Sequence, residues 1–164
     1  MNPIDPILME LKHEMATTRR LLERVPDAHL AWQPHVKSMS LARLATHIAE
    51  IPGWVAGILD KDGFEVGGGY TPRNAGSAAE VLAAFDAGVA QAEAAIRGQS
   101  MERLSATWRI TKGGKVIVEM PRMGVIRSLL LNHLIHHRGQ LSVYLRLQNV
   151  PLPSIYGPTA DETM

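Results

Sequence analysis

Apolar residues recur at three- and four-residue intervals along most of the chain, the spacing that lines one face of an α-helix. Ile7, Leu8, Leu11, Met15, Thr18, Leu22 and Val25 trace a first helix to about Val25, where Pro26 stops it. Pro3 and Pro6 mark its entrance, with Asp5 as the cap and Pro6 at the first helical position, where a missing N–H is no loss. The connector PDAHLAWQPHVKSMS follows, with Trp32 as its one large anchor, placed to seal an end of the core. Ser40 caps helix two, whose stripe is Leu41, Leu44, Ile48, Ile51, Val55 and Ile58; Pro52 should bend it or free a carbonyl. Helix three opens on the capping box Ser77-Ala78-Ala79-Glu80 and runs to about Arg97, with Gly98 to end it. Its many alanines allow a close neighbour. Helix four begins near Pro121 and runs past Arg146 to Asn149.

Three stretches leave this period. Residues 60–76, DKDGFEVGGGYTPRNAG, read as a long Gly-rich loop, a lid, a binding loop or a linker. The triple glycine at 67–69 lacks the Gly-Lys-Ser/Thr ending of a phosphate loop. Trp108, Ile110, Val116, Ile117, Val118 and Met120 flank Lys112-Gly113-Gly114 as a β-hairpin, which must lie against the helices or a partner. The tail VPLPSIYGPTADETM reads as an extended strap. The expected architecture is all-α. It is a four-helix bundle with a long loop between helices two and three and a small β-hairpin before helix four, all in one domain over residues 1–164.

Composition narrows the chemistry. Hydrophobic residues make up 46% and charged residues 20% of 164, the balance of an ordinary globular domain. A net charge of +1 without a basic stripe argues against nucleic acid. The absence of cysteine removes disulfides, thiolate catalysis by the protein and sulfur-ligated zinc. No signal-peptide pattern opens the chain and no apolar run reaches the ~20 residues of a membrane span, so the cytoplasm is the expected location.

The stretch LLLNHLIHHRGQLSVYLR, residues 129–146, carries the candidate chemistry. His133 and His137 stand four apart, on the face shared by Ile126, Leu130, Leu134, Leu141 and Tyr144. Two imidazoles on an apolar stripe need partners: hydrogen bonds within a core, or a divalent metal that satisfies both. His136 lies on the shoulder of the stripe and is the weaker candidate. His47 lies beside the helix-two stripe, one turn from Leu44 and Ile51, and can look inward; Glu50 is three residues on. Arg138 and Gln140 read as structural, bonding to neighbouring helices or the tail. His13 reads as a surface residue, and His29 and His35 have no partner at ligand spacing. From His47 to Asp60 is roughly 20 Å of helix, so the 60–76 loop reaches the histidines only by folding back. Phe64 and Tyr70 would then line a pocket there; otherwise the loop is a solvated linker.

Three segments together are similar to the DinB family: LATHIAE at 44–50, NHLIHHRGQL at 132–141 and the closing Ile155-Tyr156-Gly157-Pro158. The resemblance spans most of the chain in element order, and its specificity rests on the helix-two histidine and the HxxxHRGQ signature. It implies a four-helix bundle in which three histidines hold a divalent metal at the open end of a cavity. Matched motif to motif, these are His47, His133 and His137, with His136 not a ligand. Zinc, nickel, iron or manganese would suit such a set. Thiol-dependent S-transferases in the family imply a metal-dependent enzyme acting on a small molecule. It would be a transferase using an external low-molecular-weight thiol, or a hydrolase. A non-catalytic, stress-associated metal- or ligand-binding protein is the alternative, and the sequence does not decide between them. Glu50 would stand behind the ligands, orienting His47 or a water, or lie on the surface. Family members commonly pair, and the apolar hairpin and tail point the same way, to a homodimer.

Overall fold

The computed structural model describes residues 4–67 and 71–163. The expected Pro3 and Tyr70, and Gly68 and Gly69 of the triple glycine, lie outside them. Helix α1 (Asp5–Leu22) starts one residue earlier than expected, so Asp5 stands in its first turn instead of capping it. Ser40 caps α2 (Leu41–Glu50), its hydroxyl accepting from the Arg43 N–H. Pro52 acts as read from the sequence: it ends α2, forces a 3₁₀ turn at Ile51–Gly53, and α3 (Trp54–Asp60) resumes beyond. Ser77 caps α4 (Ala78–Arg97), and the Glu80 carboxylate reaches back to the Gly76 N–H. A short α5 (Met101–Ser105), unmarked by any period, leads into the hairpin.

The all-α expectation is corrected by a three-stranded sheet: the fold is mostly helical with a small sheet at one end. Strands β2 (Thr107–Lys112) and β3 (Lys115–Pro121) form the expected hairpin, turned by Gly113 and Gly114 at φ +57° and +75°, the left-handed region that favours glycine. The third strand, β1 (Gly63–Glu65), comes from within the 60–76 loop and pairs parallel with β2, Phe64 opposite Ile110. Its three residues give no alternation to read. Helix four also departs from expectation. After α6 (Arg122–Val125) the helix opens into a π turn, Ile126–Leu131, before α7 (Asn132–Leu147).

The four long helical segments close a ring, α1 and α2 each packing against both α4 and α7. Leu11, Leu21, Leu44, Ile48, Phe85, Ile96, Leu134 and Leu141 are among the residues fully buried inside it. Gly88 lets α4 press onto the 3₁₀ turn: a Cβ there would stand 3.1 Å from the Gly53 nitrogen and 3.4 Å from the Pro52 side chain. The tail has neither helix nor strand among its described residues, and ion pairs of Glu162 with Arg20 and Asp161 with Arg146 tie it down.

Two arginines join the sheet to the bundle. α3 ends with carbonyls that have no helical partner. Arg103 donates to the Leu59 carbonyl (3.0 Å), and Arg122, 1% exposed, donates to those of Ile58 (3.0 Å), Lys61 (3.0 Å) and Thr107 (3.1 Å). The Arg122 guanidinium also meets Asp62 at 2.5 Å, but that side chain is 84% exposed. The backbone bonds therefore dominate. Arg122→Ala should lower unfolding free energy by about 3–5 kcal/mol, since it strands buried carbonyls. Asp62→Ala should cost about 1 kcal/mol or less. Urea unfolding of the two variants checks the difference.

Candidate metal centre

α2 and α7 lie side by side, and their facing stripes bring His47 to the His133–His137 pair. The three offer ligand nitrogens within 4.8 Å of one another, and among the described residues no carboxylate joins them. His47 Nε2 is 3.3 Å from His133 Nε2, and His133 Nε2 is 2.7 Å from His137 Nε2. His137 is buried; the other two are half-buried. The structure thus assembles the three sequence candidates. It leaves His136 exposed, its ring against the outer side of His137 at 4.9 Å between centroids.

The far nitrogens set the chemistry of the near ones. His137 Nδ1 is 2.7 Å from Gln140 Oε1, one turn on, so Nδ1 carries the proton and Nε2 presents its lone pair to the centre. The His133 ring hydrogen-bonds the Leu129 carbonyl in the π turn, and with Nε2 turned to its two neighbours that bond falls to Nδ1. These tautomers are assigned from the partners. Two lone pairs 2.7 Å apart repel unless a cation is shared between them. The 3.3 Å separation to His47 is close to the ~3.3 Å nitrogen–nitrogen edge of a tetrahedral site with bonds of about 2.0–2.1 Å, and the 2.7 Å between His133 and His137 is tighter, so that pair has to widen around an ion. The donor set fits a divalent metal.

Electrostatics agree. Burial, then the neighbouring imidazoles His137 and His133, then Arg43, push the His47 ring from its ordinary 6.5 down to about 4. Burial likewise lowers His133, with help from His137. In His137 burial again dominates and the Gln140 bond opposes it. At neutral pH all three are the uncharged bases that a metal requires.

Around them stand groups of other kinds. The Trp54 indole lies 5.4 Å from the His133 ring and 5.7 Å from that of His47, a flat apolar wall on one side. Arg43 Nη2 approaches His47 Nδ1 (3.3 Å) and Glu50 Oε2 (3.1 Å). The 60–76 loop folds back to α2, but not through Phe64, which is half exposed in β1. The return is made by residues 73–75: the Arg73 carbonyl accepts from Arg43 Nη1 (2.5 Å) and the Ala75 N–H donates to Thr46 Oγ1 (2.9 Å). Arg138 pairs with buried Glu14 of α1 at 2.7 Å and covers the Tyr156 ring at 4.8 Å, the neighbouring-helix and tail contacts read from the sequence. It thereby pins the turn of α7 that carries His137.

The DinB superfamily pattern matches residues 10–141, four fifths of the chain and all three histidines. The chain belongs to the DinB superfamily. Two solved structures share its fold. A DinB-like protein from Bacillus subtilis superposes with a TM-score of 0.70 at 18% identity, covering 92% of this chain and 97% of its own. A DinB-like protein from Bacillus cereus ATCC 10987 gives 0.69 at 20% identity, covering 91% and 95%. A search of curated proteins returns no match. Among the described residues of this DinB chain, no helix is long and apolar enough to cross a membrane.

Gln140, Arg43 and Trp54 escaped the sequence reading of the site. The first two carried a usable signal, standing three and four residues from a histidine on the same helix face. Zinc titration calorimetry checks the assignments. His133→Ala and His137→Ala should each abolish stoichiometric uptake and His136→Ala should retain it. Gln140→Ala should weaken binding by about 10–100-fold. Equal loss in all the histidine variants would overturn the ligand set.

The lowered histidines also set a pH dependence. Between about 6.5 and about 4 the unfolded chain binds protons that the folded His47 refuses. Stability of the chelator-treated protein should therefore be full above pH 6.5 and fall as pH drops through that window. Thermal melts should show this, with a shallower fall in His47→Gln.

Proposed function

We propose that this DinB protein is a metal-dependent enzyme acting on a small molecule, with His47, His133 and His137 as the protein's ligands. One observation carries the reading: three imidazoles, with no carboxylate completing the set among the described residues. Structural zinc sites close with four protein ligands, whereas catalytic sites keep three and leave a position for a reactant. A divalent metal held there supplies a Lewis acid that favours the deprotonated form of a thiol or water. The imidazole set accepts zinc, nickel, iron or manganese.

The chain's own groups supply the rest. Gln140 and the Leu129 carbonyl fix two rings. Trp54 lies beside the His47 and His133 rings and also lines a shallow cleft of about 360 Å³, with Glu50, Gly53, Gly88 and Gln91. With no cysteine in the sequence, a sulfur nucleophile has to arrive as an external low-molecular-weight thiol. We favour such a transfer: sulfur bonds to an electrophilic carbon, the leaving group departs with its electron pair, and the thiol proton passes to solvent. Hydrolysis is the same reaction with water in place of the thiol.

The test is turnover of a chloronitroaromatic with a panel of low-molecular-weight thiols, using protein loaded with each candidate metal. At least a hundredfold acceleration over the thiol alone is expected with one thiol–metal pair, and none in His137→Ala. A metal-loaded protein inert toward every thiol and toward ester hydrolysis would favour the non-catalytic binding role.

A further inference from the structure

His137 and His133 meet acceptors through Nδ1, but His47 does not. Its Nδ1 faces Arg43 at 3.3 Å. A guanidinium has donors only. The contact therefore makes Nδ1 the acceptor and places the His47 proton on Nε2, the nitrogen directed at His133. A metal needs Nε2 bare and the proton on Nδ1, where it would confront an N–H of Arg43. A guanidinium so close to a divalent cation is also repelled by it, in a place where screening is weak: the Arg43 and Glu50 side chains are only 14% and 21% exposed.

An acceptor stands close by. Glu50, three residues beyond His47, already holds the same Nη2 at 3.1 Å. Nδ1–H to carboxylate is a common orientation for a ligating histidine. The other arm of Arg43 reaches away from the histidines, to the carbonyl of Arg73 at 2.5 Å. Arg73 is itself exposed, in a stretch with no helix or strand. One side chain thus touches the candidate ligand and holds the returning limb of the 60–76 loop.

We propose that Arg43 is a latch between the metal centre and this loop: metal uptake at His47 and the grip of Arg43 on Arg73 exclude one another, with Glu50 taking over His47 Nδ1. This rests on the reading of the three histidines as metal ligands. Glu50 is then a positioning residue, acting through His47, and the backbone at Arg73 is released when the site is filled.

The held carbonyl belongs to the Arg73–Asn74 bond, which trypsin recognises. Metal binding ordinarily slows proteolysis by stabilising the fold; the latch predicts the opposite at this one bond. One equivalent of zinc should accelerate cleavage after Arg73 in the wild-type protein at least tenfold while other sites slow. Arg43→Met should be cut rapidly with or without zinc and should bind zinc more tightly. For Glu50, zinc affinity should stay within a few-fold in Glu50→Gln, which keeps an acceptor, and fall at least tenfold in Glu50→Leu.

Zinc uptake by the wild type with unchanged or slower cleavage at Arg73 would overturn the latch and leave the metal centre standing. That comparison needs no variant to fold. Uptake by Arg43→Met alone would support the latch in its strongest form. Uptake by neither protein would sink the metal reading and the latch with it. Equal affinities in the two Glu50 variants would remove Glu50 from its role.

Discussion

An imidazole nitrogen withdrawn from water must be given a partner, and in this fold three such rings are withdrawn together. The α2–α7 contact draws them together, and partial burial lowers their basicity and leaves neutral rings crowded against one another. Six ring nitrogens then need partners at a site that is partly closed to solvent. Three turn toward one another, and the single proton that His47 Nε2 brings to His133 cannot serve His137 as well. The other three decide what the cluster is ready for: the Gln140 and Leu129 oxygens ready two rings to donate electrons to a cation, and Arg43 readies the third to donate a proton. The rest of the bundle holds these two helix faces in register. Arg138 anchors α7 to α1 and the tail, and Pro52 ends α2 just past Glu50.

What could be read in the sequence was local. Apolar stripes, the Ser40 and Ser77 caps, the Pro52 interruption and the Gly113-Gly114 turn each depend on residues within a few positions of one another. β1 does not. It exists because β2, some 45 residues later, offers a free edge, and three residues carry no alternation to announce it. The π turn was hidden for another reason. Ile126, Leu130 and Leu134 keep a spacing of four through it, which reads as ordinary α-helix, so the surplus residue leaves no mark on the apolar pattern.

The site divides in the same way. The His133–His137 spacing puts both rings on one face of any helix. His47 was weaker, since a histidine beside a stripe can turn either way, and its place became definite only through the family resemblance. Arg43 was invisible as a participant. Its importance comes from meeting His47, Glu50 and the Arg73 carbonyl at once, and the last of these lies thirty residues away along a loop whose course no period reveals. Phe64 was misplaced for that reason: its half of the loop belongs to the sheet.

The π turn at Ile126–Leu131 divides helix four into two parts with different duties. Beyond it α7 carries the histidines; before it Arg122 fastens the sheet to α3. A π turn is an α-helix holding one surplus residue. Losing that residue would restore ordinary helical phase and swing α6 and the hairpin by about 100° around the helix axis relative to α7. Arg122 would be carried off the α3 carbonyls, while His133 and His137 kept their spacing. The chain length between Arg122 and His133 is therefore fixed by the docking of the sheet and not by the metal centre.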